Sequence, residues 1–202
     1  VIAGAPRRFL AAGIGDAMSK PYELAGAVAG GGLNFFGGHP TELTHAIVAR
    51  AQAILLADSE AAMAAATPDA AFERVVEATV LLSGLAFESG GLSIAHAMVR
   101  GFSVVPQLSR LLHGEMVALG TLTQVAAGQG DATELRALAA FFRRLGLPTS
   151  FVAFGLGDEA VLTRIAEISL GAPYATNFLR RLSADDLVQA MKLVDITGAG
   201  ND

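Results

Sequence analysis

Ser89-Gly90-Gly91-Leu92-Ser93-Ile94-Ala95-His96-Ala97-Met98 and Leu112-His113-Gly114-Glu115-Met116-Val117-Ala118-Leu119-Gly120 decide how this chain is read. In the first stretch a serine and two glycines break an apolar helix, and a new helical run begins near Ile94. In the second, an apolar helix runs on from His113. Between them they hold two of the four histidines. Each sits among small or apolar residues, where an imidazole needs a polar partner. Gly13-Ile14-Gly15-Asp16-Ala17-Met18 adds a carboxylate in a glycine-flanked apolar turn. Asp16, His96 and His113 are read together as one metal site. Three nitrogen or oxygen donors suffice for a catalytic zinc, with one position left for water or substrate. Ferrous iron takes similar donors, usually more of them. The competing reading makes Asp16 a helix cap and each histidine a hydrogen-bonded core residue.

The composition limits the alternatives. The chain has 202 residues, 52% hydrophobic and 16% charged, which fits a globular domain with a sizeable core. Abundant alanine and leucine favour helices. A net charge of −5, with no basic stripe carrying aromatics, argues against nucleic acid. The absence of cysteine excludes disulfides and thiolate metal sites and fits a reducing, cytoplasmic setting. No apolar run is long enough for a membrane span, and no signal peptide is expected. The first residue is Val1 rather than methionine, so the numbering is expected to start inside a longer polypeptide.

Along the chain, residues 1–9 read as a short extended entry. Asp16 stands where it would cap a helix opened by Ala17 and Met18, with Pro21 in or near its first turn. Gly30-Gly31-Gly32 and Gly37-Gly38 frame a loop holding Phe35 and Phe36. No strand precedes it and no Gly-Lys-Ser/Thr follows, so a phosphate loop is set aside for a helix connection. The next helix is expected from Pro40 or Thr41 to about Ala57, buried through Leu43, Ile47, Ala51 and Ile54. His39 and His45 are expected near the surface. Asp58 to Thr67 continues as helix, and Thr67-Pro68 reads as a new start. The apolar helix from Phe72 to Leu85 should lie in the core. After His113 to about Ala127, Gly128-Gln129-Gly130-Asp131 reads as a turn. Thr133 to Leu145 is amphipathic and stops at Gly146-Leu147-Pro148. A helix is expected from Asp158 to Leu170 and another after Ser183-Ala184-Asp185-Asp186, a cap-and-acid start. The count is roughly seven to nine helices with no alternating strand, an all-α helical bundle. Residues 1–202 are expected to form a single all-helical domain binding metal and substrate.

Three blocks carry a resemblance. They are Gly-Ile-Gly-Asp-Ala-Met at 13–18, Leu-Ser-Gly-Leu-Ala-Phe-Glu-Ser-Gly-Gly-Leu-Ser-Ile-Ala-His-Ala at 82–97, and His-Gly-Glu-Met-Val-Ala-Leu-Gly-Thr-Leu-Thr-Gln at 113–124. With them the chain resembles the glycerol dehydrogenases of the iron-containing alcohol dehydrogenase superfamily. The likeness runs over essentially the whole chain, including Thr176-Asn177 and the final helix. It implies a helical domain of the dehydroquinate synthase-like type, with an N-terminal nucleotide-binding domain absent from this chain. It also implies that Asp16, His96 and His113 are the metal ligands and act in catalysis. The iron-dependent branch has a histidine four residues after the aspartate. Here that residue is Lys20, a cation that would repel a metal, which favours zinc (Zn2+) over iron (Fe2+). Two more positions depart from the family: Val99 and Arg100 stand where a histidine and an asparagine are common.

The implied activity is NAD-dependent oxidation of a polyol or alcohol such as glycerol. The metal would polarise the substrate hydroxyl for hydride transfer, and NAD would be bound mainly by the absent domain. These residues alone are expected to be inactive, and the whole protein to be a homo-oligomer. Two alternatives stay open: a helical metal-binding or oligomerisation module without catalysis, and a superfamily member acting on a sugar alcohol, maleylacetate or glycerol phosphate. Glu115 is read as a partner that orients His113 or as an acid favoured at a helix N-terminus. Phe87 is a candidate cleft wall or core residue. Thr176 and Asn177 are candidate polar contacts or turn residues.

Overall fold

A computed structural model describes residues 2–128 and 131–198. Val1 lies outside the described residues, as do Gln129 and Gly130 of the expected turn. The described residues form ten α-helices and no strand, so the chain is all-α. They are α1 (Arg7–Ala17), α2 (Lys20–Gly30), α3 (Glu42–Ala64), α4 (Ala70–Glu77), α5 (Ser83–Gly90), α6 (Ile94–Ser103), α7 (His113–Ala127), α8 (Ala132–Arg144), α9 (Glu159–Leu170) and α10 (Ala184–Gly198). Short 3₁₀ turns lie at Ile2–Gly4, Val152–Phe154 and Pro173–Thr176.

α7 is the axis of the bundle. Its sequence has almost no polar stripe, and a helix apolar on all sides belongs inside. It is buried from Val117 through Val125 and is surrounded by α1, α6, α8 and α10. Two glycines set how closely its neighbours lie. A methyl group at Gly114 would overlap the carbonyl of Ala12 on α1, and one at Gly120 would overlap the carbonyl of Ala95 on α6. The backbones of α1 and α6 therefore touch α7 directly. This brings Asp16, near the end of α1, and His96, on the first turns of α6, toward His113 at the start of α7.

Polar groups fasten the same joints. Glu115 accepts hydrogen bonds from Arg8 Nε at 2.5 Å and Arg8 Nη2 at 2.6 Å, and from the Leu112 N–H at 2.8 Å. It ties α1 to the start of α7. Burial would raise the Glu115 carboxyl pKa, but Arg8 and the Leu112 N–H hold it below its ordinary value. Gln124, buried in α7, accepts from the Ala95 N–H at 2.8 Å and donates to the Tyr22 carbonyl at 2.7 Å, joining α7 to α6 and α2.

Several sequence expectations shift in detail. Residues 1–9 are not extended: a 3₁₀ turn leads to Pro6, and α1 starts at Arg7. α3 is one helix of 23 residues, begun by a reciprocal Thr41–Thr44 capping box. Its inward face carries Thr44, Val48, Ala51, Ile54, Leu55, Ser59 and Ala62, so Ala51 and Ile54 are buried as expected while Leu43 is 69% exposed. α4 is capped by Asp69 rather than Thr67. Between α4 and α5 the helix widens into a π turn at Ala78–Leu82. The extra residue rotates the apolar stripe, so Phe72 and Val75 are buried while Val80, Leu81 and Leu85 face outward. At α8, Leu138, Phe141 and Phe142 point inward as expected. At α10, Ser183 and Asp186 make the expected reciprocal start. Among the described residues no single helix is long and apolar enough to cross a membrane. Only Ala70–Gly90 with Ile94–Ser103, bent by 100°, meets that test as a pair.

Two outcomes follow from this packing. Gly120→Ala should lower unfolding stability by about 1–3 kcal/mol in urea titrations, the usual cost of overpacking, although glycine to alanine ordinarily favours a helix. An unchanged midpoint would mean that α6 and α7 are not in backbone contact. The depressed Glu115 pKa gives stability that is present above the ordinary glutamate range and is lost as pH falls through the folded-state value. Arg8→Met should therefore flatten the acid limb of the stability profile below about pH 4.3, the unperturbed glutamate pKa, measured by thermal melts across pH.

Candidate metal centre

Asp16 is not a helix cap. It lies in the last turn of α1, and Met18-Ser19 separate that helix from α2. Gly13 and Gly15 are helical as well, so the glycine pattern does not mark a turn. An anion at a helix C-terminus opposes the macrodipole and needs nearby positive charge. Lys20, on the first turn of α2, supplies it: its Nζ lies 2.6 Å from Asp16 Oδ1. The other carboxylate oxygen faces the histidines. Asp16 Oδ2 is 3.2 Å from His113 Nε2 and 3.8 Å from His96 Nε2. The two imidazole centroids are 5.4 Å apart. One ligand atom from each of the three residues lies within 4.8 Å of the other two. The structure thus brings together the three residues singled out from sequence.

Behind them is Glu23 of α2, fully buried. Its Oε2 is 2.8 Å from His96 Nδ1 and accepts from Ser19 Oγ at 3.1 Å. Its Oε1 accepts the backbone N–H groups of Ser93 at 2.9 Å and His96 at 3.1 Å. One carboxylate therefore caps the start of α6 and holds the far side of its histidine. With the proton kept on Nδ1, the His96 Nε2 lone pair points toward Asp16 and His113. A carboxylate behind a ligating imidazole is a frequent arrangement at metal sites.

The electrostatics favour a cation between the three. Burial would raise the Asp16 pKa, but hydrogen bonding with His113 and His96 and the charge of Lys20 hold it far below the usual carboxylate range. Burial would also raise Glu23, yet His96 and Lys20 keep it below its ordinary value. Burial would lower His96, but Glu23 first, then Asp16, raises it above the ordinary imidazole value. With both carboxylates ionised, Lys20 and the proton that His96 favours balance the cluster, and a metal would bind by displacing that proton. If His96 holds its proton on Nδ1, the facing Nε2 and Asp16 Oδ2 are both acceptors. A divalent ion satisfies the charge and both lone pairs, so the residues fit a metal with one carboxylate oxygen and two imidazole nitrogens as donors.

The site opens into a cleft of about 730 Å³ walled by Phe9, Thr79, Val80, Phe87 and Leu112, among others. His96, at 7% exposure, is its floor, and His113 stands at the lip. Phe87 is both wall and packing residue, its ring 4.5 Å from that of Phe35. Glu115 does not touch His113 and serves the helix start instead. Asn177 holds the Leu92 carbonyl at 3.0 Å and lies with Thr176 beside a separate hollow next to Gly30-Gly31-Gly32. His39 and His45 are exposed and outside the cluster. Val99 and Arg100 do not line the cleft; Arg100 reaches the Gly171 carbonyl at 2.9 Å. Sequence reasoning missed Glu23. The Asp16, Lys20, Glu23 spacing was its trace, but the helix break after Ala17 hides that these residues share a face.

No protein-family model matches the chain. The glycerol dehydrogenase of Escherichia coli strain CFT073 is 39% identical over 164 residues, 79% of this chain and 44% of that protein. The crystal structure of a probable glycerol dehydrogenase from Sinorhizobium meliloti 1021 superposes with a TM-score of 0.93 at 33% identity. It covers 99% of this chain and 58% of that chain. An iron-containing alcohol dehydrogenase from Thermococcus thioreducens shares the fold, with a TM-score of 0.67 at 14% identity over 98% of this chain and 53% of its own. The chain spans less than half the length of the curated glycerol dehydrogenases it matches. By sequence, this chain belongs to the glycerol dehydrogenase family, and it shares its fold with the iron-containing alcohol dehydrogenase.

Proposed function

We propose that residues 1–202 act as one helical metal- and substrate-binding domain of a glycerol dehydrogenase-like, NAD-dependent oxidoreductase, with Asp16, His96 and His113 holding a zinc ion. The observation that carries this reading is the convergence of donors from α1, α6 and α7 on the floor of an open cleft, with Glu23 behind His96. Bound there, the ion would supply Lewis acidity to a substrate hydroxyl. Zinc suits three donors with one position left open; ferrous iron takes similar donors, and metal analysis distinguishes them.

The chain's own residues have separate tasks. Asp16 gives the ion one charged oxygen. His96 gives a nitrogen whose direction and tautomer are set by Glu23. His113, more than half exposed, closes the outer side. Phe9, Val80, Phe87 and Leu112 form apolar walls that exclude water and grip the carbon chain of a small polyol or alcohol. The curated relatives named glycerol dehydrogenase support glycerol or a similar diol as substrate. NAD would be carried by a part of the protein outside these residues.

Zinc titration against a chromophoric chelator, with metal analysis of the purified protein, tests the site. The unmodified chain should bind one equivalent. Asp16→Asn, His96→Ala and His113→Ala should each bind more weakly, the first by losing the charge of a donor and the others by losing one of three donors. Undiminished binding in any of the three would remove that residue from the site. Free zinc at a hundred times its dissociation constant should stabilise the unmodified chain by about 2.7 kcal/mol. Glu23→Gln should weaken zinc by about 10–100-fold although it removes no ligand. For the reaction, the complete protein should reduce NAD with glycerol or propane-1,2-diol. Failure on both would exclude this substrate class.

A further inference from the structure

Lys20 lines the cleft beside Asp16 but is not among the three donors of the zinc reading. Its side chain is 3% exposed, and lysine is among the residues least often buried. Its three donors are all engaged within a single turn of chain. They meet Asp16 Oδ1 at 2.6 Å, Ser19 Oγ at 3.2 Å and the Asp16 carbonyl at 3.3 Å. None remains for a substrate, so this ammonium is part of the wall and not a ligand hook. Its Nζ also lies 6.0 Å from the centre of the Phe87 ring, a further contact that holds it in place.

Two physical consequences meet at Asp16. With Oδ1 taken by Lys20, only Oδ2 faces the histidines, so the carboxylate can serve an ion through one oxygen alone. A fixed positive charge bonded to a ligand also repels an incoming divalent ion in surroundings that screen poorly. Without that charge, the half-buried Asp16 and the fully buried Glu23 would have only His96 and His113 beside them to offset two negative charges, and a carboxylate that loses a partner in such surroundings destabilises the fold. The same ammonium thus steadies the empty site and weakens the filled one.

We propose that Lys20 is a built-in counter-ion that sets the metal affinity of the Asp16–His96–His113 site, holding its residues in register without metal and limiting how tightly a divalent ion binds. This rests on the reading of those residues as a metal site. Lys20 is a positioning residue here, since it acts on the ion through Asp16.

The test compares zinc affinity and metal-free melting temperature for the unmodified chain, Lys20→Met and Lys20→Arg, by chelator competition and thermal melts. Lys20→Met should bind zinc at least tenfold more tightly and melt at lower temperature when metal-free, with a larger rise on adding zinc. Lys20→Arg keeps the charge, although with a larger planar group, and its zinc affinity should lie nearer to that of the unmodified chain than to that of Lys20→Met. If Lys20→Met does not fold without metal, refolding it with zinc and measuring release to the chelator gives the same comparison. Equal or weaker zinc binding by Lys20→Met overturns the proposal while leaving the metal site intact. Binding by Lys20→Met but not by the unmodified chain supports the proposal and overturns zinc as the native occupant. Binding by neither overturns both.

Discussion

A buried carboxylate at the start of a helix is the constraint on which the rest of this structure turns. Glu23 has no access to water, so every lone pair it keeps must be met by the protein. It accepts two backbone N–H groups where α6 begins, bonds the Nδ1 edge of an imidazole and accepts from the hydroxyl of Ser19, just before its own helix. The N-terminus of α6 lacks a side-chain cap from Ser93; a residue from another helix does that work. The same contacts decide which nitrogen of His96 faces the cleft. Structural and chemical roles are thus combined in one side chain.

Around that point the helices are brought together by what is missing as much as by what is present. The absent side chains of Gly114 and Gly120 let α1 and α6 approach α7 backbone to backbone. Donors from three helices then lie within one ion's reach, although they are far apart along the chain. The arrangement leaves an anion at the unfavourable end of α1, balanced by Lys20 and the histidines.

The cleft is open on one side, and its lip is apolar. Phe9, Val80 and Leu81 are each more than half exposed there or nearby. The π turn between α4 and α5 is the local cause for the last two, because it rotates the apolar stripe off the core. The chain accounts for less than half of the length of the relatives it matches.

The sequence by itself determined the all-α class, because alanine- and leucine-rich segments with capped starts and glycine or proline ends leave no other regular structure. It determined the bounds of α6, α7 and α10 closely, since each opens at a local signal. It also determined that Asp16, His96 and His113 were the residues to watch, since polar groups in apolar runs require partners. Only the tertiary structure decided what those partners were. Asp16 proved to end one helix rather than begin the next, because α1 runs unbroken through Gly13 and Gly15 when packed on α7. Leu43 turned outward because the face of α3 that packs on its neighbours is the one bearing Val48, Ala51, Ile54 and Leu55. Glu23 left only its spacing from Asp16 and Lys20 as a sign, because the N–H groups it satisfies lie 70 and 73 residues away. Helix periodicity and capping are local and can be read from neighbours in the chain, whereas burial of a charge is decided by whatever the fold places beside it.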